Sequence, residues 1–316
     1  VSTAEELDAL RSSVRTALSR DASWDVLCEQ IGVAALAVPE QHGGLGAGLP
    51  ELAVVAAEFG RVLSPLPFLS TSIAALALAD SPLSGKLTTG TVAWSDFTVS
   101  GSTVDGLDRY VLDGDSAELL LVAAGSGLYA VPVDQPGVRR DHSPTMDETR
   151  RLATVELCGA SAERVGDLDP PVYDQACVLV AAEEAGAMAR AFEITLEYTK
   201  QRRQFGRAIG SFQAIKHRLA DLYVLVETAR SCVAAAAEDP SLAAVAKVHC
   251  SEAFSTVAAE MIQLHGGIGI TWEHPAHRYF KRAHGSGFLL GSPREHLRTM
   301  VGSALPRAGW STGYRC

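Results

Sequence analysis

Three long periodic stretches between residues 170 and 265 leave this chain little freedom in how it folds. After the Pro170-Pro171 pair, Tyr173, Cys177, Val180, Ala181, Glu184, Met188, Ala191, Phe192, Thr195 and Tyr198 recur at three- and four-residue steps, the period of one helix face. A second stripe, Phe212, Ile215, Leu219, Leu222, Val226, Ala229 and Val233, runs on to Glu238 and stops at Asp239-Pro240. A third, with Val245, Val248, Phe254, Val257, Met261 and Leu264 inward, spans about Leu242 to His265. Small residues are frequent on all three, so the helices can pack closely. With a broken fourth helix from about Pro275 onward they predict an antiparallel bundle occupying residues 169–316.

The chain before that bundle has two characters. Residues 1–88 read as helical, with amphipathic segments at Ala4–Leu18 and Trp24–Ile31 and an apolar helix at Thr71–Ala79. The glycine cluster Gly43, Gly44, Gly46, Gly48 lacks a phosphate-loop or dinucleotide spacing and reads as a turn before a helix that opens at Pro50. Residues 89–168 are short, partly alternating runs rich in Val, Leu and Thr, bounded by Gly, Asp and Pro: strands of a small antiparallel barrel or sandwich. The fold class is therefore mostly α with a small β middle domain.

Composition removes several functions. A net charge of −10 argues against nucleic-acid binding. No stretch approaches eighteen uninterrupted apolar residues, so no membrane span is expected. No signal peptide is visible, and six cysteines without C-x-x-C spacing read as reduced thiols of a cytoplasmic protein. Glu273, His274 and His277 lack a further nearby ligand and read as a surface group rather than a metal site. Asp96, Asp105, Asp108, Asp113 and Asp115 lack calcium-loop spacing and read as solvated turns, and Trp94 and Trp272 as packing residues.

Between the first two bundle helices lies Gln201–Leu222, QRRQFGRAIGSFQAIKHRLADL. Arg202, Arg203 and Arg207 stand here without an acid among them, just ahead of a helix N-terminus. Backbone N–H groups and the helix dipole favour an anion at such a place, and arginine adds a bidentate partner for phosphate. The third helix ends in MIQLHGGIGI, whose Gly266-Gly267 pair stops the helix and allows close approach to the backbone.

These two strings, about fifty residues apart, resemble the signatures of the acyl-CoA dehydrogenase family: an arginine and an FG turn followed by a helix opening with FQ, then Q-x-x-GG-x-G. The resemblance covers essentially the whole chain, and the order helical, β, helical matches the family's three-domain layout. It implies that Arg202, Gln204, Phe205, Phe212 and Gln213, together with Gln263, Gly266 and Gly267, contact the pyrophosphate and adenosine half of an FAD bound mainly by a neighbouring subunit. Two family features are missing. The stretch AHGSGFLLGSPREHLR puts Leu290 where the family's glutamate base stands. At the family's other base location, near Ala176 and Cys177, no carboxylate stands, and Asp174 is two residues early. Glu295, five residues beyond Leu290, would serve only in a shifted register. The TEP-x-x-GSD and K-x-W-I-T-N strings that position a flavin ring are also absent from the middle domain.

The resemblance thus points to the degenerate β subunit of the α2β2 members that act in actinobacterial steroid and cholesterol breakdown. A homologous full-length partner would supply the base, the flavin-ring site and most of the acyl-CoA pocket, and would pass electrons to an acceptor. Two other readings stay open: a self-sufficient flavoenzyme of the same fold with a displaced base, and a non-enzymatic assembly subunit.

Overall fold

The structure, a computed structural model, describes residues 3–304 apart from Asp96 and Asp169. Four helices come first: α1 Ala4–Leu18, α2 Trp24–Ile31, α3 Leu49–Arg61 and α4 Phe68–Ala77. Helix α1 opens on a capping box in which the Thr3 hydroxyl accepts from the Glu6 N–H and the Glu6 carboxylate accepts from the Thr3 N–H at 2.7 Å. The glycine-rich segment is a structural turn. A side chain at Gly44 would lie 2.1 Å from the Val38 carbonyl oxygen, and the Gly46 N–H donates to that same carbonyl.

Eight strands follow: β1 Gly90–Ala93, β2 Thr98–Ser100, β3 Thr103–Leu112, β4 Leu119–Ala124, β5 Gly127–Val131, β6 Val138–His142, β7 Leu152–Ser161 and β8 Glu163–Asp167. They form two four-stranded sheets, β1-β4-β5-β8 and β2-β3-β7-β6. The expected antiparallel arrangement holds except for β1 and β4, which pair in parallel. The chain leaves β1 for the other sheet through β2 and β3 before it returns as β4, and that crossover makes the parallel pairing possible. Strand β4 divides two cores. Leu120, Val122 and Ala124 face a core between the sheets, while Leu121 and Ala123 face the helices, as the two-residue strand period requires.

The bundle consists of α5 Pro170–Gln201, α6 Gln213–Glu238, α7 Ala243–His265, α8 Ala276–Ser286 and α9 Pro293–Ala304. Between α5 and α6 stands a two-stranded hairpin, β9 Arg203–Gln204 with β10 Arg207–Ala208. Helix α5 is the axis of the molecule. Nearly every residue from Ala176 to Phe192 is buried, because α3, α6 and α7 cover it on different sides. On α7 the inward face is Ala243, Ala246, Lys247, Cys250 and Phe254, whereas Val245, expected inward, is exposed. Alanines fit the close approach to α5, and the bulkier valine is left on the outer face.

The tightest contact joins α3 to α5. A Cβ at Gly60 would sit 2.0 Å from the Glu183 carbonyl oxygen, and one at Gly186 would sit 1.9 Å from the Ala57 carbonyl oxygen. Backbone meets backbone, so neither neighbour can rotate away. Gly186→Ala is therefore expected to destabilise by about 1–3 kcal/mol, the range for overpacking. Urea unfolding should show a lower midpoint with an unchanged slope; an unchanged midpoint would show that the helices can separate freely here.

Candidate functional site

The hairpin after α5 turns through Phe205 and Gly206, both at positive φ (51° and 79°), the conformation of a tight two-residue hairpin loop. Gly206 takes that geometry freely; Phe205 does not. Its ring is 91% exposed and meets Phe212 edge-on at 6.2 Å. The Arg207 guanidinium lies 3.9 Å from the Phe212 ring centroid. Phe212 therefore braces the turn from below and holds Arg207 in place. Arg202, Arg203, Gln204 and Gln213 are exposed, and among the described residues neither Arg202 nor Arg203 forms an ion pair. Helix α6 begins without a side-chain cap, so its first N–H groups face outward beside these cations. Gln213 is held by His217, Nε2 to Nε2, at 2.9 Å.

The second motif meets the first through aromatic rings. Tyr198, one turn before Arg202, stacks on His265 with ring centroids 4.3 Å apart, and its hydroxyl donates to the His265 carbonyl at 3.3 Å. His265 Nδ1 lies 2.7 Å from the Met261 carbonyl and so carries the proton. Nε2 is left as a buried acceptor with no partner. Burial holds the His265 pKa below its ordinary value, which keeps the ring neutral. His274, read from the sequence as a surface residue, instead packs on His265 at 4.2 Å. Gly266 follows at φ 63°, ψ −143°, a conformation reserved for glycine, and Gly266 and Gly267 have open space where a Cβ would be. Gln263 is exposed on the last turn of α7. Unpaired arginines, an uncapped helix start and bare glycines form an exposed surface whose charge and open backbone suit an anionic group, whereas the orphaned His265 acceptor is buried.

Leu290 lies elsewhere, in the wall of a cavity of about 670 Å³ between the β3 face, α4 and the α8–α9 segment. Its backbone is left-handed (φ 54°), and its carbonyl accepts from the Tyr173 hydroxyl at 2.6 Å and lies 2.8 Å from His296 Nε2. Trp94 meets Tyr173 edge-on at 5.7 Å. Glu295 does not line the cavity. Its carboxylate accepts from the Ser292 hydroxyl and N–H, each at 2.7 Å, closing a capping box on α9, and those bonds hold its pKa below the usual range. A carboxylate so held is a poor proton acceptor.

Of the aspartates read as solvated turns, Asp105 is exposed, Asp115 is half-buried and accepts from Arg151 at 2.9 and 2.7 Å, and two others are buried. Asp108 is buried and accepts from the Trp94 N–H at 2.8 Å and the Ser95 hydroxyl at 2.6 Å; Asp113 is buried and accepts from the Ser70 hydroxyl at 2.6 Å. Asp96 lies outside the described residues. Burial pushes the Asp113 pKa up to about 6. Because the folded value exceeds the unfolded one, Asp113 supports stability below pH of about 4 and loses that support as pH rises through 6. Asp113→Asn should flatten the fall in stability between about pH 4 and 6. Chemical unfolding at those two values checks it, and an unchanged slope would assign the fall to other groups. Trp272, read as packing, is 71% exposed and carries Lys281 over its ring at 4.3 Å. Among the described residues no group of three potential ligands could hold a metal ion, and no helix is long and apolar enough to cross a membrane.

A buried ionic cluster that sequence reading missed joins the middle sheets to the bundle. Arg282 on α8 donates to Asp147 at 2.7 Å and to Glu183 on α5 at 3.0 Å, and Arg150 pairs with the same Glu183. Beside it, Lys247 on α7 reaches the Ser251 hydroxyl at 2.7 Å, the Ser286 carbonyl at 3.0 Å and Glu184 at 3.4 Å.

Family models for the acyl-CoA dehydrogenase N-terminal and C-terminal domains match residues 3–81 and 174–305. The chain belongs to the acyl-CoA dehydrogenase family, oxidoreductases of acyl-CoA whose fold binds FAD. It is 46% identical over 305 residues to acyl-CoA dehydrogenase IpdE2 of Mycobacterium tuberculosis, covering 92% of this chain and 90% of that protein. It is 44% identical over 301 residues to IpdE2 of Mycolicibacterium smegmatis, covering 93% and 91%. Among solved structures it is similar to the ChsE4-ChsE5 complex of Mycobacterium tuberculosis (TM-score 0.87, 28% identity, 96% of this chain and 99% of that one). It is also similar to a Tcur3481-Tcur3483 steroid acyl-CoA dehydrogenase variant (TM-score 0.84, 30% identity, 95% and 99%).

Proposed function

We propose that this chain is the non-catalytic subunit of a heteromeric, FAD-dependent acyl-CoA dehydrogenase, an α2β2 assembly with a homologous full-length partner. The observation that carries the reading is the division within the chain itself. The exposed surface of Arg202, Gln204, Phe205, Phe212, Gln213, Gln263, Gly266 and Gly267 keeps its cations unpaired and its glycines bare. Leucine stands at position 290, where the base belongs, and Glu295 is committed to its own helix. Leucine moves no proton, and losing a positioned base lowers rate by roughly 10²–10⁴-fold, so the partner must supply the base.

In this reading Arg202 pairs with the pyrophosphate of the partner's cofactor, the α6 N-terminus adds N–H donors, and Gly266 and Gly267 let the backbone approach it. The bound flavin would take hydride from the β-carbon of the thioester. This chain's residues hold the far end of the cofactor and shield it from water. The relatives whose names mention steroids and a two-protein complex support a bulky ring-bearing acyl group and a heteromer. Flavin content and native mass test the proposal, measured on this chain alone and after co-expression with a full-length family member. A colourless chain alone and a yellow heteromer together are expected. A yellow, active homo-oligomer made by this chain alone would overturn it.

A further inference from the structure

Tyr198 stands where the segment of the arginines meets the segment of the bare glycines. It lies half-buried on the last turn of α5. Its backbone carbonyl accepts from the Arg202 N–H at 2.8 Å, and the Arg202 carbonyl accepts from the Ile209 N–H at 2.8 Å, so the hairpin hangs from the end of the helix. The far end of the hairpin rests on the same turn: a Cβ at Gly210 would lie 3.0 Å from the Thr199 carbonyl oxygen. The Tyr198 side chain goes to α7 instead, where its ring stacks on His265 and its hydroxyl donates to the His265 carbonyl. One residue therefore holds the hairpin by its main chain and the end of α7 by its side chain.

A third ring completes the arrangement. His265 and His274 stand at the two ends of the loop 266–273, and their rings meet at 4.2 Å, with Tyr198 at 6.4 Å from His274, edge-on. The loop is closed at its base by these rings. None of them is free to turn: His265 Nδ1 is held by the Met261 carbonyl, and His274 Nδ1 accepts from the Ala276 N–H at 3.2 Å. Burial holds both histidines below their ordinary pKa, so the stack carries no like-charge repulsion. Inside the loop, buried Gly269 lies against the end of α7, where a Cβ would come within 2.9 Å of the Ile262 carbonyl oxygen. Gly266 and Gly267 are left bare. A glycine at positive φ ends a helix without such support. Three rings from three segments fix where the loop stands, which is what a binding group on a loop requires of its surroundings.

We propose that the Tyr198–His265–His274 stack is a clasp that sets the glycine loop in register with the arginine hairpin, and that Tyr198 is a positioning residue for the dinucleotide that both segments meet. Tyr198 acts through Arg202 on one side and Gly266 on the other. A ligand that touches both segments gains from the second contact only when the spacing between them is fixed, as for any two linked sites. The inference rests on the shared-cofactor reading and adds to it the device that makes the two motifs one site.

Two measurements test it. The first is amide exchange of this chain alone, which needs no cofactor. Tyr198→Leu removes the stacked ring and should speed exchange of the loop amides 266–271 by roughly three- to tenfold, with the buried α6 positions Leu219 and Val226 unchanged. His274→Leu, which removes a different ring of the stack, should do the same. The second is FAD affinity of the heteromer, by flavin fluorescence. Tyr198→Leu should weaken it by roughly three- to tenfold, and Tyr198→Phe, which keeps the ring, should restore most of it. The loss should be clearly smaller when Arg202→Ala is already present, because register matters only while both contacts exist. Gly186→Ala, which disturbs the same helix away from the clasp, should leave FAD affinity at the parent value. Unchanged loop exchange in both leucine variants overturns the clasp. An equal loss of affinity with and without Arg202, or a similar loss in Gly186→Ala, overturns the positioning role and assigns the effect to general destabilisation. If Arg202→Ala itself leaves FAD affinity unchanged, the shared-cofactor reading fails and takes the positioning role with it, a result distinct from the others because the loop exchange still responds.

Discussion

Arg202→Ala is expected to weaken FAD retention by the assembled enzyme by roughly 10- to 100-fold. That follows from losing a charge-assisted contact of about 1.5–3 kcal/mol. The fold should be indifferent, because Arg202 is exposed, forms no ion pair among the described residues, and follows the last turn of α5 with only its backbone engaged, its N–H on Tyr198 and its carbonyl accepting from Ile209. Exposed substitutions of this kind shift stability by no more than about 0.5 kcal/mol. The measurement is flavin absorbance of the purified heteromer against its thermal midpoint, at low and moderate salt. Retention should fall further with salt in the parent than in the variant, since the lost contact is ionic. Unchanged flavin content in Arg202→Ala would remove the cofactor role assigned to the hairpin.

A larger effect on stability is expected at Lys247→Met. Lys247 and Glu184 are both fully buried, and the ammonium also holds Ser251 and the Ser286 carbonyl. Removing the cation leaves a buried carboxyl with only the Ser251 hydroxyl, a loss of about 3–5 kcal/mol. Burial already raises the Glu184 pKa against the opposing pull of Lys247, so without the lysine it rises further. A raised carboxyl pKa supports stability at low pH and withdraws it as pH rises. The deficit of Lys247→Met should therefore be larger at pH 8 than at pH 5, and adding Glu184→Gln should recover most of it at the higher pH. A deficit independent of pH would mean that lost packing, not the stranded carboxyl, sets the loss.

What the sequence made legible follows the range of the interactions involved. Helices α5, α6 and α7 are set by local periodicity, and Leu219, Leu222, Val226 and Ala229 are buried as that period requires. Val245 departs because the close α5–α7 contact selects small residues, which a reading by size overlooks. The hairpin and the glycine pair are recognisable because their chemistry sits in short strings. The Tyr198–His265 stack that joins them connects residues 67 apart, and no local pattern announces it. The same holds for Arg282, whose partners Glu183 and Asp147 lie 99 and 135 residues away. Asp108 and Asp113 look like turn residues in a one-dimensional reading and are buried because their hydroxyl and N–H partners arrive from other segments.

The contact through Gly60 and Gly186 has a consequence for how the molecule comes apart. One continuous apolar core runs from Val14 and Leu27 through α3 and α5 to Met261 and Tyr279, whereas the inter-sheet core around Leu120, Val155 and Leu157 is separate from it. With backbones touching at the α3–α5 crossing, the first helices and the bundle share one cooperative opening. The sheets form a second unit, joined to the first by β4 and by the Arg150–Glu183–Arg282 pairs. Amide exchange should sort accordingly, with α3 and α5 exchanging together as the slowest class and the outer strands β2 and β6 exchanging earlier. The surface that carries the arginine hairpin is thereby anchored on the least labile part of the chain.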